Sequence, residues 1–256
     1  MAHMERLDAT VALVTGASSG IGEATALALA VAGARVALVA RRRERLEVLA
    51  RQIGAAGGET LVLEADVTDP AAARDAVAKT VEAFGRLDTL VNNAGVMLIG
   101  PIVDADPSEW RRMLDLNVMG LMNATHAALP HLLKAAESDP RRVADVVNIS
   151  STAGRIASAG AGVYNASKFA VNAFSESLRQ EVTKRHVRIG LVEPGAVETE
   201  LASHNSPKMQ EMMKQLFSEM ERLQSEDIAD AVTFVVTRPR HVAINEMLVR
   251  PTEQQP

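Results

Sequence analysis

With 256 residues, 47% hydrophobic and 3% aromatic, the chain is long enough to bury the core of one α/β domain and needs no second one. A formal charge of −5 argues against nucleic acid as the main partner, which normally needs a basic face, and the absence of cysteine excludes both a disulfide framework and a thiolate nucleophile. Six scattered histidines lack metal-ligand spacing, no apolar run approaches the roughly 20 residues of a membrane span, and the amino end carries no charged-then-apolar signal, so a cytoplasmic protein without a metal site is expected. Met1-Ala2-His3-Met4 reads as the remnant of an expression tag, and a single domain is expected from residue 5 to 256.

In chain order, the apolar run Val11–Thr15 predicts a buried strand, followed at once by the glycine-rich turn Gly16-Ala17-Ser18-Ser19-Gly20-Ile21-Gly22. A helix over 23–32, a stop at Gly33 and a second strand at Arg35–Ala40 complete one βαβ unit. Glycine suits such a turn because a pyrophosphate must come close to the backbone and accept hydrogen bonds from the free amides of the helix start. The spacing Thr-Gly-x-x-x-Gly-x-Gly is one residue longer in its first gap than the usual dinucleotide fingerprint, and alone it is a weak signal. Where an acidic residue would bind the adenosine ribose and repel a 2′-phosphate, the second strand ends in Arg41-Arg42-Arg43. That favours NADP(H) over NAD(H), with Arg41 and then Arg42 gripping the phosphate. The competing reading is a solvated, charged helix start, since these arginines are interspersed with Glu44 and Glu47.

Further strands are predicted at Thr60–Glu64, Thr89–Asn92, 143–149, 187–192 and Glu246–Val249, with helices over Pro70–Phe84, 108–134, 163–184 and Ser225–Val236. Residues 54–58 and 138–142 read as surface turns. Strands alternating with helices predict a parallel sheet covered on both faces. Tyr164, the only tyrosine, stands four residues before Lys168, so a helix puts both on one face. A free phenol titrates near ~10 and works as an acid or base at neutral pH only beside a positive charge, which Lys168 can supply. Asn148-Ile149-Ser150-Ser151 follows an apolar run, as hydroxyls presented at the end of a buried strand would, and Ser151 is expected to face Tyr164. An isolated Tyr-x-x-x-Lys is more often an ordinary helix-surface pair.

Four motifs together make the chain resemble the short-chain dehydrogenase/reductases along essentially its whole length. They are Thr15 to Gly22, Asn92-Asn93-Ala94-Gly95, the set Ser151, Tyr164 and Lys168, and Pro194-Gly195 after a strand, in the family's order and spacing. Asn117 falls where the family places its fourth catalytic residue, and the thirteen-residue gap to Tyr164 matches the family from Ser151, not Ser150. Within the family, residues 92–101, 173–181 and the ending Arg250-Pro251-Thr252 are similar to clavulanate dehydrogenase and NADP-dependent 3-hydroxy-acid (serine) dehydrogenases.

The resemblance implies a Rossmann-like, doubly wound, seven-stranded parallel sheet in the order 3-2-1-4-5-6-7. It implies NADP(H) cradled by Gly16, Ser18, Ser19, Gly20, Ile21 and Gly22, although many NADP-preferring relatives carry a basic residue where Ser19 stands. Asp66 and Val67 would contact the adenine and Asn93, Ala94 and Gly95 would line the cofactor, though turn chemistry alone accounts for both sets. Pro194, Gly195, Val197 and Thr199 would approach the nicotinamide carboxamide, and Tyr164 and Lys168 the nicotinamide ribose. The implied reaction is hydride transfer between the nicotinamide and a carbonyl carbon of a small to medium ketone, aldehyde or 3-hydroxy acid. Tyr164 would be the general acid, Ser151 would fix the carbonyl, and Lys168 would hold down the Tyr164 pKa. Asn117 would sit beside Lys168 through a water, or else act as a polar residue stabilising a helix kink.

A substrate lid is expected near 200–222, where residues 207–217 read as an amphipathic helix. Met209 and Met213 would line an adaptable pocket with Met97, Leu98 and Ile99, or simply pack the helix down. Arg155 is a candidate for a substrate carboxylate, or a solvent-facing loop arginine. Helices 108–134 and 163–184 would pair in a homotetramer or homodimer. Two other functions remain open. An NADP(H)-binding sensor or scaffold without turnover would tend to lose tetrad members, and sugar-nucleotide epimerases or dehydratases usually have a longer substrate domain.

Overall fold

All seven predicted strands form, at β1 (Val11–Thr15), β2 (Arg35–Ala40), β3 (Thr60–Glu64), β4 (Thr89–Asn92), β5 (Ala144–Ile149), β6 (Val187–Pro194) and β7 (Glu246–Val249). The computed structural model describes residues 6–138, 140–216 and 220–255, so the Met1 to Met4 segment and Phe217 lie outside the described residues. The strands pair in parallel in the order β3-β2-β1-β4-β5-β6-β7. Along β1, Ala12 and Val14 enter one core while Val11 and Leu13 enter the other; along β2, Val36 and Leu38 part from Ala37 and Val39 in the same way. An unbroken apolar run serves both cores because successive side chains point to opposite faces.

Eight α-helices fill the intervals among the described residues: α1 (Gly20–Val31), α2 (Arg43–Ala55), α3 (Pro70–Phe84), α4 (Pro107–Leu114), α5 (Leu121–Ala136), α6 (Gly162–Val182), α7 (Pro207–Leu216) and α8 (Ser225–Val236). One face of the sheet is covered by α1, α2 and α8 through Leu29, Leu46, Ile53 and Val232, the other by α3, α5 and α6 through Val77, Leu132 and Leu178. Helices α3 and α4 start alike. Asp69 accepts from Ala71 N and Asp106 from Ser108 N, both at 2.8 Å, and a proline follows each cap at the first helical position.

Most boundaries fall within about three residues of expectation, and two differences bear on the site. β6 runs on through Pro194, because β7 pairs Leu248 with Glu193 and Val249 with Pro194 and so draws the strand out to the turn. The helix expected over 108–134 is interrupted by a π turn, Asp115–Gly120, between α4 and α5. Its cause is tertiary: Asn117 grips the backbone of Val96 at both ends, accepting from its N–H at 2.8 Å and donating to its carbonyl at 2.9 Å. Wider turns of this kind are frequent beside functional sites. No described helix is long and apolar enough to cross a membrane.

Candidate active site

A cavity of about 1840 Å³ opens along the carboxyl ends of β1, β2, β4, β5 and β6, where open α/β sheets take their ligands. Its floor is the turn between β1 and α1. Gly16 and Gly20 hold φ of 67° and 57°, and a Cβ on Gly16 would stand 2.8 Å from the Ala94 Cα, so both the backbone conformation and the space require glycine. Ser19 gives α1 no side-chain cap, which leaves the first-turn amides at Gly20, Ile21 and Gly22 to an anion. These features fit a dinucleotide pyrophosphate.

The rim differs from expectation. Asn93 lines the cavity, but its amide donates to Thr15 O at 3.0 Å and Gly16 O at 3.2 Å, bracing the turn from behind instead of facing a cofactor. The Ser18 and Ser19 hydroxyls accept from Arg42, at 3.0 and 2.7 Å from Nη2. Arg41 is 65% exposed at its side chain and, among the described residues, makes one ion pair, with Asp66 at 3.8 Å. Asp66 accepts from Thr68 N at 3.0 Å as a turn residue, and Val67 is buried; both line the cavity with Ala94 and Gly95. Arg42 also reaches Glu200, a residue the sequence reading did not single out.

At the end of β5 the two serines part. Ser150 is buried and donates to Asn172 Oδ1 at 2.6 Å, while Ser151 adopts extended backbone and its hydroxyl, which accepts from Ala153 N at 3.1 Å, is near enough to the Tyr164 phenol to act on its pKa. Burial pushes the phenol pKa up and Ser151 opposes it. The Lys168 ammonium lies 5.9 Å from the centroid of the Tyr164 ring and donates to Ile149 O at 2.9 Å. Lys168 was expected to hold the Tyr164 pKa down. Instead the phenol stands above its ordinary value, because burial outweighs the effect of Ser151 and also lowers Lys168 to about 8.

That shift has a measurable sign. Unfolded Lys168 titrates near 10.5 and the folded group at about 8, so between these values the unfolded chain binds more protons. The desolvation cost is fully present below pH 8, and the contribution of this group to stability rises through the window. The stability of Lys168→Met relative to the parent is therefore expected to fall as urea titrations move from pH 8 to 10.5.

Asn117 is 2% exposed and does not line the cavity. Its amide donates to Val96 O and to Ser167 Oγ at 3.1 Å, and Ser167 in turn donates to the Tyr164 carbonyl at 2.7 Å. Both amide hydrogens are thus engaged, and Oδ1 accepts from Val96 N. These bonds fit the reading of Asn117 as a polar residue that stabilises a helix kink, and they tie it to the first turn of α6.

The family model for short chain dehydrogenase matches residues 10–210. The chain belongs to the short-chain dehydrogenase family. Sulfoacetaldehyde reductase 2 of Chromohalobacter salexigens is 39% identical to this short-chain dehydrogenase over 246 residues, 95% of each chain. The closed form of a serine dehydrogenase complexed with NADP+ matches its fold with a TM-score of 0.88 at 32% identity, over 96% of this chain and 97% of that one. A metagenomic short-chain oxidoreductase in complex with NADP gives 0.80 at 35%, over 96% and 99%.

Beyond β6 of this short-chain dehydrogenase, Pro194, Gly195, Val197 and Thr199 line the cavity, and Thr199 Oγ1 caps the following turn by accepting from Leu201 N at 3.3 Å. Met97, Ile99 and Met213 also line it. Leu98 is instead buried with Met113 and Tyr164, and Met209 packs toward Gly100, so the two readings of the methionine helix divide between its residues. Asn205, which the sequence reading missed, ties the start of this segment down, donating to Met97 O at 2.9 Å and accepting from Ile99 N at 2.8 Å.

Arg155 lines the cavity and is exposed, but its guanidinium is engaged by two carboxylates. It donates to Glu193 at 2.6 Å and to Glu246 at 2.5 Å, and Glu193 is fully buried and also accepts from Asn172. Arg250 is a different case. It is half-buried, lines the cavity immediately after β7, and has no hydrogen bond or ion pair among the described residues. In the sequence it counted only as part of the ending Arg250-Pro251-Thr252, and it is the register of β7 against β6 that brings it beside Gly195.

Proposed function

We propose that this chain is an NADP(H)-dependent carbonyl reductase or alcohol dehydrogenase. The observation that carries the reading is that Ser151, Tyr164 and Lys168 line the same cavity as an uncapped, glycine-built helix start flanked by Arg41 and Arg42. The nucleotide, when bound, supplies or accepts the hydride. Gly16 and Ser18 to Gly22 hold its pyrophosphate and Arg41 and Arg42 its 2′-phosphate. Asp66, Val67, Ala94 and Gly95 border the adenosine half, and Pro194, Gly195, Val197 and Thr199 the nicotinamide. During reduction Tyr164 Oη gives its proton to the carbonyl oxygen. Ser151 Oγ donates to the same oxygen, and the Lys168 ammonium steadies the phenolate left behind.

The substrate is a small to medium aldehyde, ketone or 3-hydroxy acid, and the unpartnered Arg250 favours one bearing a carboxylate or sulfonate. Arg250→Gln is expected to raise KM about tenfold or more for such an aldehyde, the loss of one charge-assisted hydrogen bond, and to leave a neutral aldehyde of similar size unaffected. Equal effects on both would remove Arg250 from the substrate site. The reading as a whole is tested by initial rates with NADPH and NADH over aldehydes, ketones and 3-oxo acids. Nucleotide binding without turnover of any of them would leave a sensor in its place. The lid is residues 200–222, within a single domain. The assembly is a homotetramer, to which the exposed Leu114, Met119 and Phe169 on the expected pairing helices lend support, and light scattering tests it.

A further inference from the structure

The arginines at the end of β2 are already answered by a carboxylate. Glu200 opens the short turn Glu200–His204 that leads into α7, and its Oε2 accepts from Arg42 Nη1 at 2.9 Å while its Oε1 accepts from Arg45 Nη1 at 2.5 Å. The two guanidinium groups hold the Glu200 carboxyl well down, at about 2, with Arg45 contributing first, so it is ionised throughout the neutral range. The remaining donors of Arg42 are turned to Ser18 and Ser19, and Arg43 is paired with Glu47 at 2.8 Å. Arg41 alone has its guanidinium loosely held.

We propose that Glu200 is a specificity-determining residue which competes with the 2′-phosphate of the cofactor for Arg42. A phosphate monoester carries close to two negative charges at neutral pH. To take Arg42 it must displace the Glu200 carboxylate or lie against it, whereas a dinucleotide without the 2′-phosphate leaves the pair intact. Glu200 thus lowers affinity for the phosphorylated cofactor and narrows the preference that Arg41 and Arg42 create. Glu200 and Arg42 are each more than 40% exposed at the side chain, so the pair is a weak one and the effect is a tuning of preference, not a switch.

This rests on the cofactor reading above, and the test separates the two. Calorimetric binding of adenosine 2′,5′-bisphosphate and adenosine 5′-monophosphate is compared for the parent protein and Glu200→Gln, with no turnover required. The expected result is a bisphosphate Kd about two- to fivefold tighter in Glu200→Gln, the range open to an exposed ion pair, with the monophosphate Kd unchanged. Looser bisphosphate binding would make Glu200 a support for Arg42 and overturn the proposal. So would an unchanged Kd in a parent protein that already prefers the bisphosphate, which leaves the cofactor reading standing. Absence of preference in both proteins would overturn the proposal and the cofactor reading together. Thermal melts of Glu200→Gln establish that the variant is folded.

Discussion

Tyr164→Phe is expected to lower kcat by about 10²- to 10⁴-fold, the range of a lost general acid, while the affinity for NADPH stays within about twofold. The ring is packed against Val96, Leu98 and Met113, and phenylalanine keeps that packing. What is lost is one oxygen, the atom whose pKa Ser151 lowers and that would hand a proton to the carbonyl. Lys168 keeps its own anchor on Ile149 O, so the neighbouring charge stays in place. A phenol raised above its ordinary value holds its proton at neutral pH, which suits reduction. The oxidation direction needs the phenolate and should accelerate as pH rises. Stopped-flow binding and steady-state rates measure the two halves of the expectation, and retention of more than a tenth of kcat would remove Tyr164 from the proton transfer. Loss of nucleotide binding along with kcat would instead point to a structural role for the phenol.

The sheet was legible because its signal is local. Unbroken apolar runs such as Val11–Thr15 and Arg35–Ala40 mark strands buried on both faces, and the Asp-Pro starts of α3 and α4 are capping chemistry contained within a few residues. The glycine turn and the Ser151, Tyr164 and Lys168 set were legible for the same reason, since each spacing is fixed by one strand end or one helix turn. What could not be read was set by partners distant in sequence. Arg155 is taken by Glu193 and Glu246, 38 and 91 residues away, and Glu200 reaches Arg42 over 158. Nothing near either residue announces its partner. The π turn at Asn117 has the same origin, because the Val96 backbone that stabilises it belongs to the loop after β4. The net pKa of Tyr164 was not legible in the sequence, because spacing gives the proximity of Lys168 but not the depth of burial, and burial is the larger influence.

Asp145→Asn is expected to cost about 3–5 kcal/mol of stability, the range for breaking a buried ion pair by removing one partner. Asp145 is 1% exposed in β5 and accepts from Arg188 Nε at 2.7 Å and Nη2 at 2.9 Å, with Arg141 Nη1 at 3.2 Å. Both arginines are buried, and Arg141 Nη2 with Arg188 Nη1 and Nη2 also reach carbonyls at and beyond the end of α8, including Val236 O. Neutralising Asp145 removes the buried negative charge on which Arg188 and Arg141 converge in a poorly solvated place. For a chain of this size the loss corresponds to a fall in Tm of roughly 6–20 °C. The pair itself is not intrinsically stabilising relative to apolar packing, so Asp145→Leu combined with Arg188→Leu should recover part of the deficit, whereas either substitution alone should not. Asp145 lies at the amino end of β5, about 13 Å along the strand from Ile149 and the serines that follow it. The folded Asp145→Asn protein should therefore keep its parent kcat at temperatures well below its melt. A kcat that falls in step with stability would mean that the buried arginine cluster governs the geometry of the distant β5 end as well as the stability of the sheet.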